Sequence, residues 1–238
     1  MDRGYVAVHV AEEGDHWWFR GRRAILLAAL RHALPARPLR LLELGCGSGN
    51  VLEALGALGE AVGMEPDPEL VAAGRARGLD VRRGSLPDDR VVPAGWPDAV
   101  LFLDVLEHLE DDLRALRAAW AIVRPGGTLV VTVPAYAWLW SPHDEVLGHS
   151  RRYTAASLGA VVTRAGFRLR HVTYFNTLLL PAIVAARAWK RLRGAGHDLS
   201  RPAAPVNAAL ARVFSLERFV VARWRVPAGA SLLLIADR

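Results

Sequence analysis

The stretch Leu41-Leu42-Glu43-Leu44-Gly45-Cys46-Gly47-Ser48-Gly49-Asn50 decides the fold of this chain. A largely apolar run, of the kind that forms a buried parallel strand, breaks into three glycines at alternate positions. The pattern then becomes helical, with apolar residues at Val51, Leu52, Leu55 and Leu58. Glycine suits the intervening turn because it adopts unusual backbone angles and leaves the N–H groups of a helix N-terminus accessible to a ligand. The stretch therefore predicts an α/β fold with a ligand-binding loop.

The spacing of these glycines separates two kinds of nucleotide loop. The dinucleotide fingerprint is G-x-G-x-x-G, whereas here the third glycine comes one place earlier and Glu43 lies two places before the first. This E-x-G-x-G-x-G form resembles motif I of the class I S-adenosylmethionine-dependent methyltransferases. Residues 97–109, which read PDAVLFLDVLEHL, are similar to the strand-four motif of that family, and residues 124–127 are similar to its turn before strand five. The motifs cover about residues 39–133, and the order of elements extends the resemblance to the C-terminus.

The resemblance implies a Rossmann-like α/β fold. Its seven-stranded sheet has the order 3-2-1-4-5-7-6, with the last strand antiparallel and helices on both faces. Two helical patterns, over residues 178–193 and about 206–225, indicate an additional helical insertion before the last strand. We predict one methyltransferase domain over residues 1–238. It comprises an N-terminal helical cap (1–38), a sheet core (39–175 and 228–238) and a helical lid insertion (176–227).

Composition limits the classes of function. With 52% hydrophobic and 23% charged residues, the chain is globular rather than disordered. Its net charge of +6 would suit an acidic partner, but no lysine run or aromatic-basic array indicates nucleic acid. The single cysteine, Cys46, excludes a disulfide framework, and the N-terminus lacks the apolar segment of a signal peptide. We expect a cytoplasmic protein, and peripheral contact with the inner face of an anionic membrane stays open.

The resemblance implies S-adenosyl-L-methionine as cosubstrate, bound along the strand ends. Glu65 ends the second strand 22 residues after Glu43, about where a carboxylate meets ribose hydroxyls in nucleotide-binding α/β folds. Ser85 stands where the family commonly has an aspartate for the adenine amino group, so a backbone group near Leu86 or the nearby Asp88 would serve instead. The predicted donor-binding residues are Trp17, Glu43, Gly45, Cys46, Gly47, Gly49, Glu65, Pro66, Ser85, Leu86, Leu103, Asp104, Val105 and His108.

The segment over residues 135–153 is predicted to be a loop that forms the active-site wall, with a solvated connector as the alternative. It concentrates aromatic, histidine, acidic and arginine residues after the fifth strand, where open sheets bind substrates. A hydroxyl acceptor needs a base, and histidine is the usual one near neutral pH. We predict His149 or His143 as this base, with Arg152 orienting the acceptor. Adjacent residues need not face each other, so His143 and Asp144 are not taken as a dyad.

Three questions stay open in the sequence. The set Asp104, Glu107, His108, His143 and His149 resembles that of magnesium-dependent small-RNA and some ubiquinone methyltransferases. Metal-free relatives share the strand-four motif, however, and histidine is an unusual ligand for Mg²⁺, so we assign no metal ligand. The basic helices of the insertion suit either a lid or an anionic membrane surface, and both favour a small-molecule or lipid-like acceptor with an O, N or C nucleophile. A donor-binding module without turnover and an NAD(P)-dependent oxidoreductase are the alternative functions.

Overall fold

The computed structural model describes residues 14–193 and 202–238. Its strands are β1 (Leu39–Leu44), β2 (Gly59–Glu65), β3 (Val81–Arg83), β4 (Ala99–Leu103), β5 (Thr128–Pro134), β6 (Arg168–Phe175) and β7 (Ser231–Asp237). They form one seven-stranded sheet in the order β3-β2-β1-β4-β5-β7-β6. β7 runs antiparallel to β5 and β6, and the other pairs are parallel. Strand order and direction confirm the fold that the sequence predicted.

Helices cover both faces of this sheet. They are α1 (Trp17–Ala33), α2 (Asn50–Leu55), α3 (Pro68–Ala76), α4 (Asp112–Ile122), α5 (Pro142–Leu147), α6 (Ala155–Arg164), α7 (Leu180–Arg193), α8 (Ala204–Leu216) and α9 (Arg218–Val221). α4 and α6 pack on one face, whereas α1, α2, α8 and α9 pack on the other. Among the described residues, no helix combines the length and the apolar character needed to cross a membrane.

β1 is buried on both faces, as a central parallel strand requires. Leu41 packs in the core beneath α1 and Leu42 in the core beneath α4, because successive side chains of a strand point to opposite faces. The parallel strands β1, β2, β4 and β5 all end at one edge of the sheet. The loops that follow them therefore meet there.

α1 packs closely against α8. A Cβ at Gly21 would clash with the ring of Phe214, so only glycine allows this approach. Asn207 of α8 accepts the N–H of Trp17 at 2.8 Å and donates to the carbonyl of Asp15 at 2.9 Å. These contacts attach the insertion to the start of the cap helix. Residues 1–13 of the predicted cap lie outside the described residues.

The insertion is helical, with boundaries that differ from those predicted. Its first helix, α7, begins at Leu180 rather than at residue 178. The second, predicted as one helix over about 206–225, is α8 followed by the short α9, with Glu217 between them. Residues 194–201 of the insertion lie outside the described chain.

Glu217 explains both boundaries. Its carboxylate accepts the N–H groups of Asn176, Thr177 and Leu178 at 2.6, 2.7 and 2.8 Å. These bonds hold residues 176–178 in an irregular turn before α7 begins. They also fix the turn between α8 and α9 to the end of β6.

Candidate functional site

A cavity of about 770 Å³ opens at the carboxyl edge of the sheet. Its floor is the glycine loop together with the ends of β2 and β4, and residues of α1, α5 and α7 form its walls. Ligands of open α/β sheets bind at this edge, beside the point where the strand order reverses between β1 and β4. The volume lies within the range of small-molecule sites. The fold thus places the glycine loop in a cavity suited to a small molecule.

The glycine loop requires glycine for its backbone conformation. Gly45 and Gly47 have φ angles of +69° and +56°. A Cβ at Gly45 would also lie 2.7 Å from Val105 Cγ2. Gly49, predicted to bind the donor, lies outside the cavity lining; its φ is +86°, and a Cβ there would lie 2.5 Å from Leu79 Cδ1. Gly49 is therefore needed to start α2 rather than to contact a ligand.

Glu65 lines the cavity at the end of β2. Its Oε2 accepts the N–H of Gly47 at 3.0 Å, and its Oε1 accepts the N–H of Asp67 at 3.0 Å. Burial raises the pKa of Glu65, and these two hydrogen bonds act in the opposite direction. Each carboxylate oxygen keeps a further acceptor site. Glu65 can therefore accept hydrogen bonds from two neighbouring hydroxyl groups of a ligand.

The turn after β3 supplies two of the predicted donor residues, Ser85 and Leu86. The Ser85 N–H donates to Asp89 at 2.8 Å. Asp88, offered as a substitute adenine acceptor, does not line the cavity: it is exposed, and its Oδ1 accepts a hydrogen bond from Arg114 at 2.9 Å. Backbone groups near Leu86 are therefore the better candidates for the adenine contact.

An ion pair joins α1 to the end of β4 at the cavity. Arg22 Nη2 lies 2.5 Å from Asp104 Oδ2 and donates to Thr132 Oγ1 at 3.3 Å. The Arg22 guanidinium also lies 5.1 Å from the ring centroid of Trp18, within cation–π distance. Trp17 packs edge-on against Phe214 at 5.8 Å. Both tryptophans are half-buried and line the cavity, so neither belongs to the core alone.

Asp144 and His149 form a buried pair in the wall of the cavity. His149 Nδ1 lies 2.9 Å from Asp144 Oδ1, and the His149 ring lines the cavity with 8% of its side chain exposed. Because Nδ1 contacts the carboxylate, Nε2 is the ring nitrogen that a ligand can reach. The sequence predicts no dyad of His143 and Asp144, and in the structure Asp144 pairs with His149.

The fold of residues 135–153 creates this pair. The sequence analysis expected a loop here, but Ala137–Leu139 form a 3₁₀ turn and Pro142–Leu147 form α5. The Ser141 N–H donates to Asp144 Oδ2 at 2.8 Å and caps α5. Gly148, with φ +71°, ends the helix, and the His149 N–H then donates to the Asp144 carbonyl at 2.9 Å. This reversal brings the His149 ring back to the Asp144 carboxylate.

Arg152 supports Asp144 from the other side. Its Nε donates to Asp144 Oδ1 at 2.7 Å and its Nη1 donates to the Ala135 carbonyl at 3.0 Å. Burial alone would raise the pKa of Asp144, but the hydrogen bonds from His149 and Arg152 outweigh it and hold this pKa well below its usual range. Arg152 thus positions an ionised Asp144; it also lines the cavity, and its contact with the acceptor stays a prediction.

Two further titratable residues adjoin the pair. The rings of His108 and His149 meet edge to face, with centroids 4.7 Å apart. Burial, and then the charge on His149, lower the pKa of His108 to about 4. Burial, and then the charge on Asp104, raise the pKa of Glu107 well above its usual value. At neutral pH His108 is therefore uncharged and packs against His149 as a neutral ring.

The residues present do not fit Mg²⁺. Glu107, His108 and His149 bring three ligand atoms within 4.8 Å of one another. One carboxylate with two imidazoles is not the oxygen-rich set that Mg²⁺ prefers. Asp104, the other acid of the resembled set, is held by Arg22. The positive charges of Arg22 and Arg152 also act on Glu107 and would oppose a cation there.

The other predicted residues line the same cavity, and the sequence analysis missed several that join them. Asp144 was not predicted as a site residue because its pairing depends on helix α5, which was not predicted either. The capping sequence Ser141-Pro142 is the signal from which the start of α5 could have been predicted. Arg22 was not predicted because it lies among the arginines of residues 20–23, and nothing in the sequence distinguishes it from its neighbours. Asn176, Ile183 and Arg187 extend the lining into the insertion. The remaining predicted residues that line the cavity are Glu43, Cys46, Pro66, Leu103, Val105 and His143.

Comparisons with known proteins agree on one family. The methyltransferase domain family matches residues 16–172. The chain is 32% identical over 160 residues to the "Probable S-adenosylmethionine-dependent methyltransferase" of Mycolicibacterium smegmatis, a match that covers 65% of this chain and 61% of that one. It is 38% identical over 111 residues to the ubiquinone biosynthesis O-methyltransferase of Xanthomonas campestris, covering 44% of this chain and 46% of the relative. These matches thus span about half to three fifths of the relatives' lengths. An S-adenosylmethionine-dependent methyltransferase structure from Mesorhizobium loti shares the fold with a TM-score of 0.59 at 20% identity, over 90% of this chain and 98% of that chain.

Proposed function

We propose, from the premise that this chain belongs to the class I S-adenosylmethionine-dependent methyltransferase family, that it methylates a hydroxyl group of a small apolar or lipid-like acceptor. The observation that carries the proposal is the Asp144–His149 pair, which lines the same cavity as the glycine loop. Transfer to a hydroxyl oxygen releases a proton, and this pair can take it. A site for an acceptor that carries no proton would not need such a base.

The donor side of the cavity binds and orients S-adenosylmethionine. S-adenosylmethionine supplies a methyl group that is already activated on a sulfonium. Glu65 accepts hydrogen bonds from the ribose hydroxyls, and the glycine loop lets the ligand approach the backbone. Trp17 and Trp18 cover the cavity from α1 and limit the access of water. This half of the site contributes positioning and desolvation.

The acceptor side removes the proton. His149 takes the acceptor's hydroxyl proton at Nε2, while Asp144 holds Nδ1 and stabilises the resulting imidazolium. Arg152 fixes Asp144 in this orientation. His108, neutral at working pH, adds no competing charge beside the imidazolium. The acceptor oxygen needs only to reach His149 within hydrogen-bond distance, about 2.6–3.2 Å.

The acceptor is proposed to be a phenol or catechol with an apolar tail. Phenols have a pKa near 10, which is far closer to the pKa of histidine than the pKa of an aliphatic alcohol is. A histidine base therefore suffices for a phenol. Phe19, Leu109, Leu147 and Ile183 give the cavity an apolar wall. Relatives named as ubiquinone biosynthesis O-methyltransferases agree with this chemistry. We assign the reaction to the cytoplasm on the single cysteine of the sequence.

Radiolabelled methyl transfer tests the proposal. The chain and labelled donor are incubated with matched acceptors that share one alkyl tail and end in a catechol, a phenol or a primary amine. We expect label in the catechol or phenol product and greater turnover with longer tails. Label in the amine alone would contradict the hydroxyl assignment. Calorimetric binding of the donor without transfer to any acceptor, lipid extracts included, would indicate a donor-binding module instead.

A further inference from the structure

The insertion helices carry two apolar stripes, and one of them is exposed. The buried stripe packs toward α1 and the sheet through Ala211, Phe214 and Val221. The exposed stripe has spacings of three, four and four residues, which place its members on one side of a helical segment. The Trp224 N–H bonds the Val220 carbonyl at 2.9 Å, so the helical path continues past α9. The exposed stripe comprises Val213 (38% exposed), Leu216 (54%), Val220 (40%) and Trp224 (60%), with Phe219 (53%) beside it.

The exposed charges on the segment that carries this stripe have one sign. Residues 202–226 contain four arginines and a single acid, Glu217. Glu217 is 5% exposed and is bonded to three backbone N–H groups, so it presents little negative charge to the surface. All four arginines are exposed. We call the exposed stripe, Phe219 and these arginines the docking face; the arginines are Arg212, Arg218, Arg223 and Arg225.

We propose that the docking face binds the surface of an anionic phospholipid bilayer. An amphipathic helix with arginines beside exposed tryptophan and phenylalanine is suited to the interface between headgroups and acyl chains. Each arginine near an anionic surface adds electrostatic attraction, and aromatic and aliphatic side chains add apolar burial. A second copy of this chain fits less well, because two faces with four arginines each would repel one another.

The docking face is connected to the cavity through the insertion. α8 packs on α1, whose first turns line the cavity, and Glu217 bonds Asn176, which also lines it. A bilayer bound to this face would therefore contact the same insertion that contributes Asn176, Ile183 and Arg187 to the cavity wall. In combination with the proposed function, on which this step rests, the membrane would serve as the source of an apolar acceptor.

Vesicle flotation of the full chain tests the bilayer contact without any acceptor. The probes are vesicles of phosphatidylcholine alone and of phosphatidylcholine with 30% phosphatidylglycerol, about the anionic content that gives a clear surface potential. We expect binding to the second kind only. Arg223→Gln combined with Arg225→Gln should weaken this binding by about 30-fold. Phe219→Ser combined with Trp224→Ser should weaken it by about tenfold or more.

Matched controls separate the docking face from general electrostatics. Arg117→Gln combined with Arg164→Gln removes the same charge from α4 and α6, on the opposite face of the sheet. This control should bind vesicles like the unaltered chain, as should Leu169→Ser, which removes an exposed leucine of β6. Unchanged thermal midpoints would establish that all variants fold. The proposal would be overturned if both arginine pairs lost vesicle binding equally, or if the unaltered chain bound no vesicles. It would also be overturned if the chain formed a dimer that Phe219→Ser combined with Trp224→Ser abolished. Methyl transfer to a soluble acceptor is measured separately, so failure here leaves the proposed function intact.

Discussion

His149→Ala should lower the rate of methyl transfer while leaving donor binding unchanged. His149 lines the cavity, and Asp144 holds its Nδ1 at 2.9 Å, which leaves Nε2 to act as the base. A positioned general base typically contributes about 10²–10⁴-fold to a rate. At about 1.36 kcal/mol per factor of ten, its loss raises the barrier by about 2.7–5.5 kcal/mol.

The substitution should leave the fold intact. Asp144 is buried, but without His149 it still accepts hydrogen bonds from Arg152 at 2.7 Å and from the Ser141 N–H at 2.8 Å. No buried charge loses all of its partners, so the large cost of an isolated buried ion does not arise. Asp144→Asn is a less specific test because it would weaken the bonds to Arg152 and Ser141 as well.

Single-turnover transfer of a labelled methyl group, with the donor saturating, measures the chemical step. Donor affinity is measured by calorimetry on the same samples. In the acidic range the unaltered enzyme should gain rate with rising pH, and the His149→Ala variant should lose this dependence. His143→Ala is the matched control. It also removes a histidine that lines the cavity, but it leaves the Asp144–His149 pair in place. Near-normal transfer by His149→Ala would refute the assignment, and a selective loss in His143→Ala would move the base to His143.

Three further outcomes follow from the site and its support. Glu65→Ala should weaken S-adenosylmethionine binding by about 1–3 kcal/mol, since it leaves hydrogen-bonding groups of the ligand and of Gly47 without an acceptor; unchanged affinity in calorimetry would remove Glu65 from the donor site. Exhaustive EDTA treatment should leave methyl transfer intact, because the donor set near Glu107 does not fit Mg²⁺; loss that is restored by added Mg²⁺ would contradict this. Asp98→Asn should lower the free energy of unfolding by about 1–3 kcal/mol at pH 7, because buried Asp98 accepts hydrogen bonds from Arg37, Arg124 and the Arg40 N–H. Burial alone would raise the pKa of Asp98, but these bonds outweigh burial and lower it. The difference in unfolding free energy between the unaltered chain and Asp98→Asn, measured by urea denaturation, should therefore persist above pH 4 and shrink as the pH falls further. A constant difference down to pH 2 would contradict the ion-pair explanation.

The sequence predicted the fold well because its decisive features are local. Glycines of the loop after β1 are required by the backbone of that same turn, and an apolar run such as β4 is buried on both faces wherever it lies in the sheet. The sheet order followed from the family resemblance that these motifs carry. Helix ends were less predictable: α7 begins late because Glu217, about 40 residues further along the chain, bonds the preceding N–H groups.

The site was only partly predictable because some of its residues are placed by local structure and others by contacts between distant parts of the chain. Gly45 directly follows β1 and Glu65 ends β2, and both line the cavity; their contact with the donor stays a prediction. The Asp144–His149 pair depends on a six-residue helix whose cap and terminal glycine reverse the chain. Arg22 reaches Asp104 across 82 positions, which no spacing in the sequence reveals. Contacts of this kind need the packed structure.

Glu217 joins the end of the insertion to its beginning, and Phe214 joins the insertion to the cap helix α1. One carboxylate from a helix satisfies three consecutive backbone donors at the end of β6, and Phe214 covers Trp17. Excising residues 176–227 to obtain a minimal core would remove Glu217 together with its three donors, and it would expose the aromatic face of Trp17 and the Trp17 N–H that Asn207 accepts. We therefore expect the insertion and the sheet to unfold as one cooperative unit. Substitutions on the outward side of α8 and α9, and at the α7 residues that line the cavity, are the ones expected to leave this junction intact.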